Sequence, residues 1–151
     1  MLVDWVPTGL RPLLARENLL SRALRAGRTV SYANAHPAKA LPRAGRMRRP
    51  AAPPLAAEAA GALVRHEEAL LQGRAIPSSL TNEVWRRHLP TLPPLGARRA
   101  GELLATIARE AELTLFAHYD TDLIGHRRDL PGAIEVLERV DGFLAGLLER
   151  L

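Results

Sequence analysis

The chain has 151 residues, of which 47% are hydrophobic, enough for one folded domain with a real core. It has no cysteine, which excludes disulfides, thiolate metal ligands and a cysteine nucleophile. The net charge of +5 comes almost entirely from arginine, with Lys39 the only lysine, and aromatic residues make up only 4% of the chain. Because few aromatic rings are present to stack on bases, this composition disfavours nucleic acid as a partner.

The chain contains no apolar stretch as long as a membrane span, which takes about 18 residues. Its N-terminus, MLVDWVPTGLRP, carries an acid and a proline where a signal peptide has a basic segment followed by an apolar run. We therefore expect a cytoplasmic protein that does not interact with membranes.

The first elements in chain order are a helix and a strand. Residues 10–26 place leucines on one helical face and arginines on the other, and Gly27 is a typical helix stop. Residues 28–35, RTVSYANA, alternate as a strand does and end near His36, which we expect to be solvated rather than a ligand. This order of helix, glycine and strand favours an α/β fold.

The next part of the chain is rich in proline and arginine. Residues 38–54 are predicted to form a loop, and a solvated basic loop is preferred over a phosphate site because no motif fixes its geometry. The arginines that make this loop basic are Arg43, Arg46, Arg48 and Arg49.

Three helices are predicted between this loop and the second strand. Residues 55–72 are alanine-rich and precede Gly73, residues 81–88 start with a capping residue, and residues 96–110 are amphipathic. We expect residues 38–94 as a whole to be an insertion of loop and helix near the functional site.

The segment from Leu113 to Asp129 carries the densest group of chemically active side chains. Leu113 to Phe116 is β-prone, and the acids and histidine that follow are predicted on a loop at the carboxyl end of this strand, where α/β folds bind ligands. Asp122 and His126 are four residues apart, and Gly125 allows the tight turn that would bring them together. Such a pair is half of a divalent-metal site; the ordinary alternative is a capping or first-turn aspartate.

The last element is a helix over residues 131–151, with a proline in its first turn. Its apolar residues recur at helical spacing and must pack on a sheet or on a partner. They are Ile134, Leu137, Val140, Leu144 and Leu147. The whole chain, residues 1–151, is thus predicted to be one α/β unit, a partial parallel sheet flanked by helices.

The residues from Asp122 to Asp129 also resemble a known family. Asp122-Leu-Ile-Gly-His126 is similar to the D-x-x-G-H element of the alkaline phosphatase superfamily, in the branch of cofactor-independent phosphoglycerate mutases and phosphopentomutases. The continuation GHRRD is closest to phosphopentomutase, whose acidic loop is about one residue longer. That difference leaves Asp120 open as the ligand, although the mutase spacing favours Asp122. The similarity covers only the middle portion of the family domain.

The resemblance implies an alkaline-phosphatase-like sheet and metal-dependent phosphoryl transfer through a phosphorylated Ser or Thr. Asp122 and His126 would bind Mn²⁺ or Zn²⁺, with Mg²⁺ as a further option, and bind it weakly. Arg127 and Arg128 would face the phosphate of a phosphorylated small molecule, or would simply be solvated.

The nucleophile and half of the family's metal ligands are missing from the sequence, so we expect the chain to be inactive alone. It would then be a truncated domain or one part of a split enzyme that associates with itself or with a complementing chain. The alternatives are a non-catalytic protein interaction module and a basic nucleic-acid-binding protein that uses the loop from Arg43 to Arg49.

Overall fold

The computed structural model describes residues 6–38 and 51–151. A short 3₁₀ turn, Thr8–Leu10, comes first. The α-helices of the described residues are α1 (Arg11–Arg16), α2 (Leu19–Arg25), α3 (Ala52–Ala59), α4 (Glu67–Leu71), α5 (Glu83–Arg86), α6 (Ala97–Ala108), α7 (Asp120–Arg127) and α8 (Leu130–Leu148). The strands are β1 (Val30–Tyr32) and β2 (Leu113–Leu115).

The two strands form a small parallel sheet. Val30 pairs with Leu113 and Tyr32 with Leu115, which confirms the prediction of a mixed α/β structure with two parallel strands. Beyond β1, two isolated parallel bridges pair Asn34 with Ile76 and Ala35 with Arg65. Because these segments run in the same direction, their carboxyl ends lie at one edge of the sheet.

Two of the predicted helices are interrupted. Residues 10–26 form α1 and α2 rather than one helix, because the Asn18 side chain accepts a hydrogen bond from the Ser21 backbone N–H and caps α2. Residues 55–72 form α3 and α4, separated by Gly61, whose φ of +69° ends α3. Between these helices the chain is extended and Arg65 bridges to Ala35.

The core consists of three apolar clusters around the sheet. The largest joins Ile76 and Leu80 to α6 and to Phe143 of α8. A second is built on Leu70 and Leu92, and a third joins α2 and α3 to β1 through Leu20 and Ala57. The region from α4 to α5, expected to be part of an insertion, therefore supplies buried residues to the main core.

The predicted helix over residues 96–110 is confirmed as α6, and it packs closely against α8. Its residues Ala100, Leu104 and Ile107 are buried, as their spacing predicted. Gly101 lies so close to α8 that an added Cβ would be 2.0 Å from the Phe143 carbonyl oxygen. The two helices are thus in backbone contact at this crossing.

The apolar residues of α8 divide between two environments. Val140 and Leu147 pack against the main core, whereas Ile134, Leu137 and Leu144 are exposed. None of the helices in the described residues is long and apolar enough to cross a membrane. The arginine-rich segment from Arg43 to Arg49 lies outside the described residues.

Candidate functional site

Asp122 and His126 lie in a helix, not on the loop that the sequence predicted. The helix is α7, whose first turn contains Asp120 and Asp122 and whose last turn contains His126. Acids near the start and a basic side chain near the end both interact favourably with the helix dipole. Arg128, with a left-handed φ of 54°, ends the helix.

The helix brings the predicted ligand pair together. The Nε2 atom of His126 is 3.5 Å from Oδ1 of Asp122, because residues four apart lie on the same helix face. Two donors on a tetrahedral ion, at bond lengths of about 2.1 Å, stand about 3.4 Å apart. The side chains are 54% and 63% exposed, so the pair is open to an ion and to further ligands.

Asp120 has a different neighbour. Its Oδ2 atom is 3.9 Å from the Arg139 guanidinium on α8, and its side chain is mostly buried, with 23% exposed. Positions 120 and 122 are two apart on a helix and do not share a face. The geometry therefore pairs His126 with Asp122 and leaves Asp120 beside an arginine.

The two arginines proposed to face a phosphate are both exposed and follow His126 directly. Arg127 closes the last turn of α7, and Arg128 occupies the turn between α7 and α8. Within the described residues neither guanidinium forms an ion pair. Asp129 then caps α8 by accepting a hydrogen bond from the Gly132 backbone N–H.

The described part of the chain contains no group of three or more His, Asp or Glu side chains that could hold a metal ion. Asp122 and His126 are therefore two donors without a third among these residues. A structural zinc site takes four ligands and a catalytic one three protein ligands plus water. The arrangement can bind an ion only weakly unless further donors are added.

A second polar cluster lies where the strands end, and His36 is its only member that the sequence had singled out. The buried Asn34 side chain donates to the Ala117 carbonyl and accepts from the Ala117 N–H, both at 2.8 Å. These two bonds, which we call the Asn34–Ala117 clamp, join the end of β1 to the segment that leads from β2 into α7. Asn34 therefore sets the direction in which the chain enters the helix that carries the Asp122–His126 pair.

A tyrosine and a histidine, Tyr32 and His36, lie two residues before and two residues after Asn34 in the chain. The Tyr32 hydroxyl is 2.7 Å from Nε2 of His36, and the two rings are stacked. Burial, and secondarily the nearby Tyr119 phenol, raise the pKa of Tyr32 well above the ordinary tyrosine value. At neutral pH this hydroxyl therefore keeps its proton.

His118 belongs to the same edge and has a defined tautomer. Its Nδ1 atom is 2.7 Å from the Ser78 carbonyl oxygen, which only accepts, so Nδ1 carries a proton. The Nε2 atom is buried and has no hydrogen-bond partner among the described residues. The sequence signal for this cluster was the position of Asn34, His36 and His118 within four residues of the strand ends.

Comparison with protein-family models, with curated protein sequences and with solved structures gives no significant match to this chain.

Proposed function

We propose that this chain is part of an alkaline-phosphatase-like metalloenzyme domain of the phosphoglycerate mutase and phosphopentomutase branch. In this proposal Asp122 and His126 bind the same divalent ion. The observation that carries the proposal is the 3.5 Å separation between the carboxylate oxygen and the imidazole nitrogen within the D-x-x-G-H sequence.

The position of the pair in the fold also supports it. α7 begins soon after the carboxyl end of β2, the side of a parallel sheet on which α/β proteins bind their ligands. The Asn34 clamp on Ala117 holds this connection at two points. A ligand pair therefore stands on a helix whose start is fixed relative to the sheet.

The residues that follow His126 suit a phosphorylated substrate. A bound Mn²⁺ or Zn²⁺ would polarise phosphoryl oxygens and offset their charge. Arg127 and Arg128 are exposed and have no ion-pair partner in the described residues, so their guanidinium groups are available for bidentate bonds to a phosphate. The substrate class is accordingly a phosphorylated small molecule.

The same geometry predicts weak binding and no turnover in the chain by itself. A two-metal phosphoryl-transfer site needs several ligands for each ion, and here one carboxylate and one imidazole converge. The remaining coordination positions would be filled by water or by donors from another segment or chain. Catalysis in this proposal requires those additional donors.

Calorimetric titration with Mn²⁺ and Zn²⁺ tests the proposal. Binding is expected in the parent chain and in Asp120→Asn, the matched control on the same helix, and is expected to be lost in Asp122→Asn and in His126→Ala. Binding should also weaken on acidification, because a protonated imidazole has no lone pair to donate.

The ordinary alternative is a surface pair within one helix, worth about 0.3–0.5 kcal/mol and indifferent to metal. Metal binding that persists unchanged in His126→Ala would refute the proposal. Loss in Asp120→Asn with binding retained in Asp122→Asn would move the ligand to Asp120.

A further inference from the structure

The outer face of α8 is apolar and uncovered. Its side chains are between 45% and 72% exposed, although the opposite face of the same helix is in backbone contact with α6. The exposed residues are Leu130, Ile134, Leu137, Leu144 and Leu148, followed by Leu151 just beyond the end of α8. A row of exposed apolar side chains along one helix face is a candidate interaction surface.

The spacing of these exposed residues along α8 indicates what kind of element could pack against them. Including Asp141, the outward positions are separated alternately by four and three residues, which is the heptad pattern of a coiled-coil seam. Helical hydrogen bonds continue to the end, with the Leu151 N–H bonded to the Leu147 carbonyl. A seam of this kind fits a second helix with the same repeat.

We propose that α8 of a second copy of this chain covers the seam, with the two helices antiparallel. The seam has isoleucine or leucine at one heptad position and leucine at the other, so it is complementary to itself. A two-fold axis across the helix pair brings the same surface of both copies together, as in most homodimers.

Asp141, the one charged residue in the seam, favours the antiparallel direction. In a parallel pair the two Asp141 carboxylates would face each other, which is unfavourable for like charges removed from water. In the antiparallel pair each Asp141 is opposite Leu144 of the second copy, so the two carboxylates lie in adjacent layers, offset by about 4.5 Å along the helix axis, rather than in one layer. The remaining layers are Leu137 with Leu148 and Ile134 with Leu151, and the helix dipoles are opposed.

The size of the seam sets the strength of the association. About 21 residues at about 1.5 Å each make a contact roughly 30 Å long and about 10 Å wide. That is smaller than the roughly 800 Å² that each partner contributes to a standard interface. The dimer should therefore be weak and should form with increasing protein concentration.

Sedimentation analysis over a wide concentration range tests the dimer. The parent chain is expected to shift from monomer to dimer, and Leu137→Glu is expected to raise the dissociation constant roughly tenfold or more. Asp141→Leu is expected to lower it by a similar factor. Leu63→Glu is the control, since Leu63 is 69% exposed and lies outside α8.

Cross-linking tests the direction, because the chain has no cysteine of its own. A mixture of Leu137→Cys and Leu148→Cys chains is expected to form a disulfide between the two variants, because these positions share a layer in the antiparallel pair. Efficient linkage of Leu137→Cys to itself would indicate the parallel pair and overturn the proposed direction, since the two 137 positions are roughly 16 Å apart along the axis of the antiparallel pair. A parent chain that stays monomeric, or a dimer unaffected by Leu137→Glu, would overturn the proposal itself, whatever the outcome of the metal titration.

Discussion

The crossing of α6 and α8 allows a sharp test with two glycines of one helix. In Gly146→Ala the new Cβ would lie 2.0 Å from the Arg98 carbonyl oxygen and 2.8 Å from its carbonyl carbon. In Gly142→Ala, one turn earlier, the nearest atom is the Arg98 backbone nitrogen at 4.0 Å, an ordinary contact. Both substitutions add the same methyl group beside the same residue of α6.

The expected costs differ because one contact is with backbone. At Gly146 the helices must separate by about 1.4 Å to restore a normal contact of 3.4 Å, since a carbonyl group cannot rotate away as a side chain would. Overpacking of this kind typically costs about 1–3 kcal/mol, and separation also weakens the packing of Phe143 and Leu104. At Gly142 the change should instead stabilise the helix by up to about 1 kcal/mol.

Thermal and urea unfolding followed by circular dichroism measure the difference. The gain in helix propensity is common to both substitutions, so Gly146→Ala is expected to be less stable than Gly142→Ala by the overpacking cost alone, about 2 kcal/mol, or roughly 4–8 °C in Tm for a chain of this size. Gly101→Ala should behave like Gly146→Ala, because its Cβ would meet the Phe143 carbonyl oxygen at 2.0 Å. Equal stability of the two α8 variants would refute the close crossing.

Three further predictions concern the buried arginine, the buried tyrosine and the activity of the chain. Arg65→Met should lower the free energy of unfolding by about 3 kcal/mol in urea titrations, because the buried guanidinium donates to the Tyr32 and Arg74 carbonyls and to Ser31 and is paired with Glu110. Arg74→Met is the exposed control and should change little. Because the pKa of Tyr32 is raised in the folded state, its contribution is complete below the ordinary tyrosine pKa and is lost as the pH rises above it. Alkaline unfolding should therefore be less steep in pH for Tyr32→Phe than for the parent chain. The purified chain should show no phosphomutase or phosphatase turnover with Mn²⁺, Zn²⁺ or Mg²⁺, and metal-dependent turnover abolished by His126→Ala would contradict this expectation.

The elements with strong local patterns were predictable from the sequence. α6 and α8 have apolar residues at helical spacing over many turns, and both helices are present close to their predicted bounds. The β-prone runs around Val30 and Leu113 form the parallel pair that the order of elements indicated. In each case the pattern that identifies the element is contained within the element itself.

Elements that depend on distant contacts were not predictable in the same way. The break between α3 and α4 places Arg65 among partners 33 and 45 residues away in the chain, and an alanine-rich segment does not reveal such contacts. α7 is short and mostly polar, so it lacks the periodicity that would distinguish a helix from a loop. Tertiary packing determines both the break between α3 and α4 and the helical conformation of α7.

The same distinction between local patterns and distant contacts applies to the candidate site. The four-residue spacing of Asp122 and His126 brings the pair together in a helix as it would in a tight turn, so the prediction of proximity did not depend on the loop. The Asn34–Ala117 clamp and the His118–Ser78 bond join residues 83 and 40 positions apart. Only the fold brings those groups to one edge.

The most direct test of the central claim is whether Asp122 and His126 bind one ion together. Paramagnetic broadening of amide signals by substoichiometric Mn²⁺ detects even weak binding in the intact chain. The proposal predicts broadening centred on Asp122 and His126, reversed by competing Zn²⁺ and absent in His126→Ala. Broadening that is unchanged in His126→Ala, or that centres on the acidic residues Glu135 and Glu138 of α8, would contradict it.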